Sequence, residues 1–339
     1  MDEATGAVQR RGLFGPGDRV RLADTKGRLN TIVLEAGKTF HSHRGSFSHD
    51  QLIGQPEGSV VATTDGRQYV AMRPLLADFV LSMPRGATVI YPKDAGQIVQ
   101  MADIYPGARV VEAGAGSGAL TMSLLRAVGD PGRLDSVERR EDFAVIARAN
   151  VENWFGGPHP AWRLHVGDLA EVVPQLEPGS YDRMVLDMLA PWENIEAAAQ
   201  ALAPGGVLIA YLATTTQLSR LVETLRQDGR FSEPEAWESM VRGWHAEGLA
   251  VRPEHRMIGH TGFLVRARRL APGVKAPERR RRPAPGAYDA DALEWSAEAF
   301  GERQVSDRKL RRVRRRLEAD QTGENAASSE TACQQTPPA

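Results

Sequence analysis

From residue 108 onward, short apolar runs alternate with longer amphipathic stretches. Runs of strand length, rich in Val, Leu and Met, fall at 109–113, 134–138, 163–166, 183–187 and 207–211. Between them, apolar positions recur at helical spacing over 119–128, 141–151, 192–202 and 216–227. Strands separated by helices predict parallel pairing through crossover connections, hence a doubly wound α/β sheet. Residues 236–241 and 262–267 are again strand-like, with no long helix between them. They suit an antiparallel pair at one edge of that sheet.

The earlier part of the chain has a different texture. Segments 18–22, 29–34 and 59–64, then the turn pair Asp65-Gly66 and residues 68–70, predict the short strands of a small β-barrel or β-rich domain. Residues 75–107 look helical in parts and are interrupted by Pro84, Pro92 and Pro106. From 271 to 302, Pro, Ala and Gly predict a linker. The run 308–317 places Leu310, Val313 and Leu317 at helical spacing in a basic surround, and the end of the chain reads as disordered. The expected division is a β-rich domain at 1–73, an α/β domain at 74–270 and a flexible basic tail at 271–339.

Charge sharpens this division. The 339 residues carry 42 Lys and Arg against 43 Asp and Glu, a net charge of −1. Residues 1–265 hold 26 basic and 32 acidic side chains, whereas 266–282 and 303–317 each hold eight basic and one acidic. Basic blocks of this kind favour a polyanion such as nucleic acid, or remain solvated without a dedicated partner. The single cysteine, Cys333, excludes a disulfide framework and a cysteine-based zinc site. His41, His43 and His49 have no carboxylate at ligand spacing, so a surface or RNA-facing loop is expected there and no metal. No apolar run approaches the roughly 20 residues that span a bilayer. The first residues lack the apolar core of a secretory signal, so a cytoplasmic location is expected.

Chemistry concentrates at the ends of the predicted parallel strands. In VVEAGAGSGALT, residues 110–121, an apolar strand runs through Glu112 into Gly114, Gly116 and Gly118 and then a helix. Glycines at such a turn let a ligand approach the backbone, and the helix start presents free N–H groups. The spacing is G-x-G-x-G, not the G-x-G-x-x-G of dinucleotide folds. A ligand-free tight turn and a NAD or FAD site are the alternatives. Glu138 ends the second strand, where a carboxylate can accept hydrogen bonds from both hydroxyls of a ribose. Asp168 ends the third. Asp187 ends the fourth, in LDMLAPW, at the carboxyl edge where open α/β sheets bind ligands; capping the next helix is its bland alternative.

The glycine run resembles motif I of class I S-adenosylmethionine (AdoMet) methyltransferases, and LDMLAPW is similar to motif IV of adenine-directed ones. From about residue 13 to 270 the chain resembles the bacterial and archaeal tRNA adenine-58 N1-methyltransferase family. FGPGDRV (14–20), MPRGATVIYPKDAGQIV (83–99), EAGAGSGALT, LDMLAPW and RPEHRMIGHTGFLV (252–265) carry the likeness; generic methyltransferases lack the YPKD and HRMIGHTGFL runs. The resemblance implies a Rossmann-like class I methyltransferase sheet, a small N-terminal β-domain, tRNA as partner and a homotetramer. It places cofactor contacts on Gln97, on Gly114, Ala115, Gly116, Ser117, Gly118, Ala119 and Leu120, and on Glu138, Phe143, Asp168, Leu169 and Asp187. It has Asp168 receive the adenine amino group of AdoMet and Asp187 act on the target base. His255 and His260 are expected to shape packing or the substrate rim, and Trp237 and Trp244 to be core or hairpin residues. The rival functions are AdoMet-dependent methylation of a protein or small molecule, and a non-catalytic RNA-binding or scaffold subunit.

Overall fold

Residues 4–43, 45–86 and 88–277 are described by the computed structural model. The N-terminal strands are β1 (Arg19–Asp24), β2 (Leu29–Val33), β3 (Thr39–Ser42), β4 (Gly45–Ser48), β5 (Val60–Ala62) and β6 (Gln68–Met72). Four of them form an antiparallel sheet in the order β2-β1-β6-β5, and β3 pairs with β4 as a separate ribbon that the sequence did not reveal. Val20 and Leu22 of β1 alternate inward onto Phe14, Phe47, Leu52 and Tyr69, which gives this part its own core.

Two helices follow, α1 (Leu76–Ser82) and α2 (Pro92–Met101). Pro92 does not break a helix; it opens α2, where a missing N–H costs nothing. Then come β7 (Arg109–Ala113), α3 (Ala119–Val128), β8 (Arg133–Glu138), α4 (Glu141–Phe155), β9 (Trp162–Val166), α5 (Leu169–Val172), β10 (Tyr181–Leu186), α6 (Ile195–Ala201), β11 (Leu202–Leu212) and α7 (Thr215–Asp228). The last described strands are β12 (Glu235–Trp237), β13 (Trp244–Glu247), β14 (Ala250–Pro253) and β15 (Phe263–Arg268).

The expected doubly wound sheet is present. Its seven strands run β12-β15-β11-β10-β7-β8-β9, with β11 to β9 parallel and β15 antiparallel to both neighbours. Adjacent residues of β7 serve opposite faces. Val110 packs with α2, α3 and α4, whereas Val111 packs with α5, α6 and α7. The chain leaves β7 outward through β8 and β9, then returns to β10 on the other side of β7. Order reverses there, and the loops after β7 and β10 diverge to leave a crevice.

Two expectations are corrected. The strand placed at 236–241 stops at Trp237, and an exposed hairpin of β13 and β14 occupies the gap before β15. The helix placed at 192–202 is a 3-10 turn (Pro191–Asn194) plus the seven residues of α6, because Leu202 already pairs with β10. The predicted tail from residue 278, with Leu310, Val313, Leu317 and Cys333, lies outside the described residues. No helix among the described residues is long and apolar enough to cross a membrane.

Candidate active site

The crevice is built by glycines with separate duties. Gly114 (φ +87°) leaves β7 against β10: a Cβ there would lie 1.9 Å from the carbonyl oxygen of Asp187. The two exits are stitched by the Asp187 N–H donating to the Ala113 carbonyl at 2.8 Å. Gly118 (φ +81°) starts α3 with its Cα pressed on α4, where a Cβ would sit 3.1 Å from the Ala147 carbonyl. Gly116 (φ +54°) differs. A Cβ there would meet no atom nearer than 4.0 Å, and the residue faces open space. Packing requires glycine at 114 and 118; at 116 the smooth backbone serves whatever fills the space.

That space is a cavity of about 530 Å³ at the carboxyl ends of β7, β8, β9 and β10. Of the sequence-derived residues, Gly114, Gly116, Glu138, Phe143, Asp168, Leu169 and Asp187 line it. Ala115, Ser117, Gly118, Ala119 and Leu120 do not; Ala115, Ser117, Ala119 and Leu120 are buried supports behind the turn. Gln97 stands on α2, half-buried, and is not part of the lining. Glu138 holds the turn directly, accepting the Gly116 N–H at 2.8 Å on one oxygen and the Arg140 N–H at 2.9 Å on the other. Each oxygen keeps a lone pair for a ligand hydroxyl. Asp168 caps α5 through one oxygen, bonded to the Ala170 N–H at 3.1 Å, and its other oxygen is uncommitted.

Several lining or supporting residues escaped the sequence. The Asn150 side-chain amide donates to the carbonyls of Pro84 (2.8 Å) and Ser117 (2.9 Å). The Gly86 N–H donates to the Ser117 hydroxyl at 3.3 Å, and a Cβ at Gly86 would strike the Phe143 ring at 2.7 Å. The MPRG segment thus lies over the glycine turn and Phe143, and Thr88 reaches the cavity. Arg140 stacks its guanidinium 3.9 Å from the Phe143 ring centre. The MPRG run was the available signal; Asn150 had none, being one polar residue in a helix pattern.

Carboxyls dominate the electrostatics. Asp187 is not a helix cap, and its carboxyl has no hydrogen-bond partner among the described residues. Burial, and then the nearby Glu138 charge, push it up to about 7. Glu112, fully buried beneath the turn, is also pushed up to about 7 by burial, despite hydrogen bonds from Ser136 (2.5 Å) and Thr121 (2.8 Å). Its second oxygen has no partner among the described residues. Four acids line the cavity, Glu138, Asp168, Asp187 and Glu193, beside Arg139 and Arg140. None of the four is ion-paired among the described residues, and this acidic lining suits a cationic ligand. AdoMet, with its sulfonium and ammonium groups, fits this donor set, and Gly116 leaves room for it. Among the described residues, no group of three His, Cys, Asp or Glu side chains is arranged for a metal; His49 instead accepts the Glu35 N–H at 3.1 Å.

Comparison with known proteins identifies the family of the chain. Residues 12–61 match the TrmI-like N-terminal family model, and residues 69–251 match that of the tRNA methyltransferase complex GCD14 subunit. The tRNA (adenine(58)-N(1))-methyltransferase TrmI of Thermus thermophilus is 39% identical over 73% of this chain and 95% of its own length. The tRNA (adenine(57)-N(1)/adenine(58)-N(1))-methyltransferase TrmI of Methanocaldococcus jannaschii is 32% identical over 62% of this chain and 82% of its own. Among solved structures, tRNA (m1A58) methyltransferase TrmI from Aquifex aeolicus superposes with a TM-score of 0.67 and 25% identity, over 77% of this chain and all of that one. A SAM-dependent O-methyltransferase from Thermotoga maritima gives 0.73 and 30%, over 81% and all of that chain. A carboxyl-lined crevice at the switch point, under two adjoining family models and a relative matched almost end to end, makes this chain a member of the tRNA (adenine-58-N1)-methyltransferase family of AdoMet-dependent enzymes.

Proposed function

We propose that the protein transfers a methyl group from AdoMet to N1 of adenine 58 in the T loop of tRNA. The observation that carries this is Asp187: a buried carboxyl with no hydrogen-bond partner among the described residues, lining the carboxyl-rich cavity. AdoMet, when bound, supplies the electrophilic sulfonium methyl. The adenine N1 lone pair is itself the nucleophile, so the protein needs no strong base to create one. The ionised Asp187 accepts a hydrogen bond from the target's N6 amino group, which orients the ring. The same carboxylate stabilises the positive charge that grows on the base. Glu138 receives the ribose hydroxyls, Asp168 the adenine amino group, and Phe143 under Arg140 flanks the adenosine. Gln97 belongs to this cofactor assignment only through the family pattern. The base is buried in tRNA and must be turned out to reach Asp187.

A cytoplasmic homotetramer belongs to the same proposal, as does the division at residues 73 and 270. The separate core of the N-terminal sheet supports the first boundary. The basic blocks at 266–282 and 303–317 would add phosphate contacts that hold tRNA without choosing the base. Because the Thermotoga maritima structure is of an O-methyltransferase, the test must read the modified atom. Incubation of unmodified tRNA with the enzyme and AdoMet, followed by nucleoside mass spectrometry, is expected to give N1-methyladenosine mapped to position 58. Methyl transfer to an oxygen, or none to tRNA, would overturn the proposal.

A further inference from the structure

YPKD (91–94) and the HTG (260–262) within the HRMIGHTGFL run are far apart in sequence and meet in space. Asp94 of α2 is fully buried. It accepts hydrogen bonds from Lys93 Nζ (2.7 Å) and the Ser239 hydroxyl (2.9 Å) on one oxygen, and from the Thr261 hydroxyl (2.6 Å) on the other. Lys93 Nζ also donates to the Ser239 carbonyl (2.7 Å) and the Thr261 hydroxyl (2.6 Å). Its three protons therefore all have acceptors. Ser239 begins, and Thr261 ends, the arm that carries the β13–β14 hairpin. An outer pair, Glu238 with His260 at 2.9 Å, joins the same two strands of chain.

This clasp is linked to the loop that carries Asp187. Tyr211 donates to the Thr261 carbonyl at 2.6 Å, and its ring fills the place a Cβ would take on Gly262, 2.4 Å away. Burial pushes the Tyr211 phenol up to about 12, and Asp94, Asp187 and Tyr91 all lie close enough to add to that rise. On the far side, His260 Nε2 lies 3.4 Å from the Ala213 carbonyl. The Gln217 amide accepts the Ala213 N–H (3.1 Å) and donates to the Leu189 carbonyl (2.9 Å), two residues beyond Asp187. A continuous set of hydrogen bonds links the base of the arm to the loop that carries Asp187.

A buried ion pair adds little to stability by itself, because desolvation offsets the attraction. What a fully satisfied pair secures is one geometry. We propose that Lys93 and Asp94, with Ser239 and Thr261, are positioning residues that hold the start of α2 and the base of the arm as the wall against which the target nucleotide is set beside Asp187. This rests on the tRNA methylation proposed above.

Thr261→Val keeps the shape and removes the hydroxyl, whereas Thr261→Ser keeps the hydroxyl. The expected result for Thr261→Val is AdoMet affinity within about twofold of wild type, and a single-turnover rate at saturating tRNA lowered on the order of 10²-fold, the scale of an ångström-sized misplacement. Thr261→Ser should behave almost as wild type. Hydrogen exchange over residues 238–262 should quicken in Thr261→Val alone. A normal rate in folded Thr261→Val overturns the proposal, as does a loss of AdoMet affinity and melting temperature in step with rate in both variants. If wild-type enzyme methylates no tRNA, the substrate assignment fails on its own. The exchange comparison still decides the clasp, and unchanged exchange in Thr261→Val overturns it.

Discussion

Two aspartates, one lining the crevice and one in the clasp linked to it, are buried to opposite ends. Asp94 spends both oxygens on Lys93, Ser239 and Thr261, so its charge is matched within the fold. Asp187 has burial without a hydrogen-bond partner among the described residues, and its carboxyl is pushed up to about 7. Water removed from a charge must be replaced by something. At Asp94 the protein supplies the replacement. At Asp187 it is left to the ligand, which is how a fold reserves an electrostatic contact for a reacting base.

The largest effect should come from the backbone between these roles. Gly114→Val would drive a side chain into the Asp187 carbonyl, 1.9 Å from the added Cβ, in a conformation branched residues avoid. AdoMet binding should vanish and folding should suffer. Gly116→Ala meets no protein atom within 4.0 Å, so it should fold with only the ~1–2 kcal/mol strain of its left-handed backbone, yet bind AdoMet weakly. Calorimetry and thermal melting on the pair separate the two duties. Equal losses of stability would show that 116 is a packing glycine as well.

Asp187→Ala should lower single-turnover methylation by about 10²–10³-fold, the usual loss for one preorganised contact. Near-normal turnover would remove it from the chemistry. A collapse of AdoMet affinity instead would make it a cofactor ligand.

A third experiment uses pH. Asp187 must be ionised to accept from the amino group, so kcat/KM should rise with pH through about 7. For one ionisation that is about tenfold between pH 6 and pH 8. Cationic AdoMet favours the ionised form, so the kcat profile should be displaced to lower pH. A flat kcat/KM across this range contradicts an ionised Asp187 as the working form.

The smallest effect is on stability and has the opposite sign to activity. Between the ordinary 3.8 and about 7, native Asp187 keeps a proton that the unfolded chain has lost. Its burial therefore costs stability progressively as pH rises through that window, and the cost persists above it. Asp187→Asn should melt a few degrees higher than wild type at pH 8 and about equally at pH 4, by calorimetry without ligand. A lower melting point at pH 8 would place a hidden stabilising partner on Asp187.

Local pattern alone determined the catalytic frame of this protein. The alternation of strand-length and helix-length segments placed the five parallel strands, and α3 at 119–128, although buried β8 carries Asp135 and Ser136 and edge strand β9 is only partly buried. Their carboxyl ends then marked Glu138, Asp168 and Asp187, since a parallel sheet puts all these ends on one side. The strands of the β13–β14 hairpin, hinted at only by Trp244, went unread because Trp244, Leu249 and Val251 are exposed, so no core imposed a period on them. Tertiary structure alone separated the glycines, since only the approach of Asp187 to Gly114 distinguishes it from Gly116. Likewise, an aspartate in a motif has the same letter whether it is paired or not. Only the fold brought Lys93, Ser239 and Thr261 to Asp94 and left Asp187 without a partner among the described residues, because hydrogen-bond satisfaction is decided by residues distant in the chain.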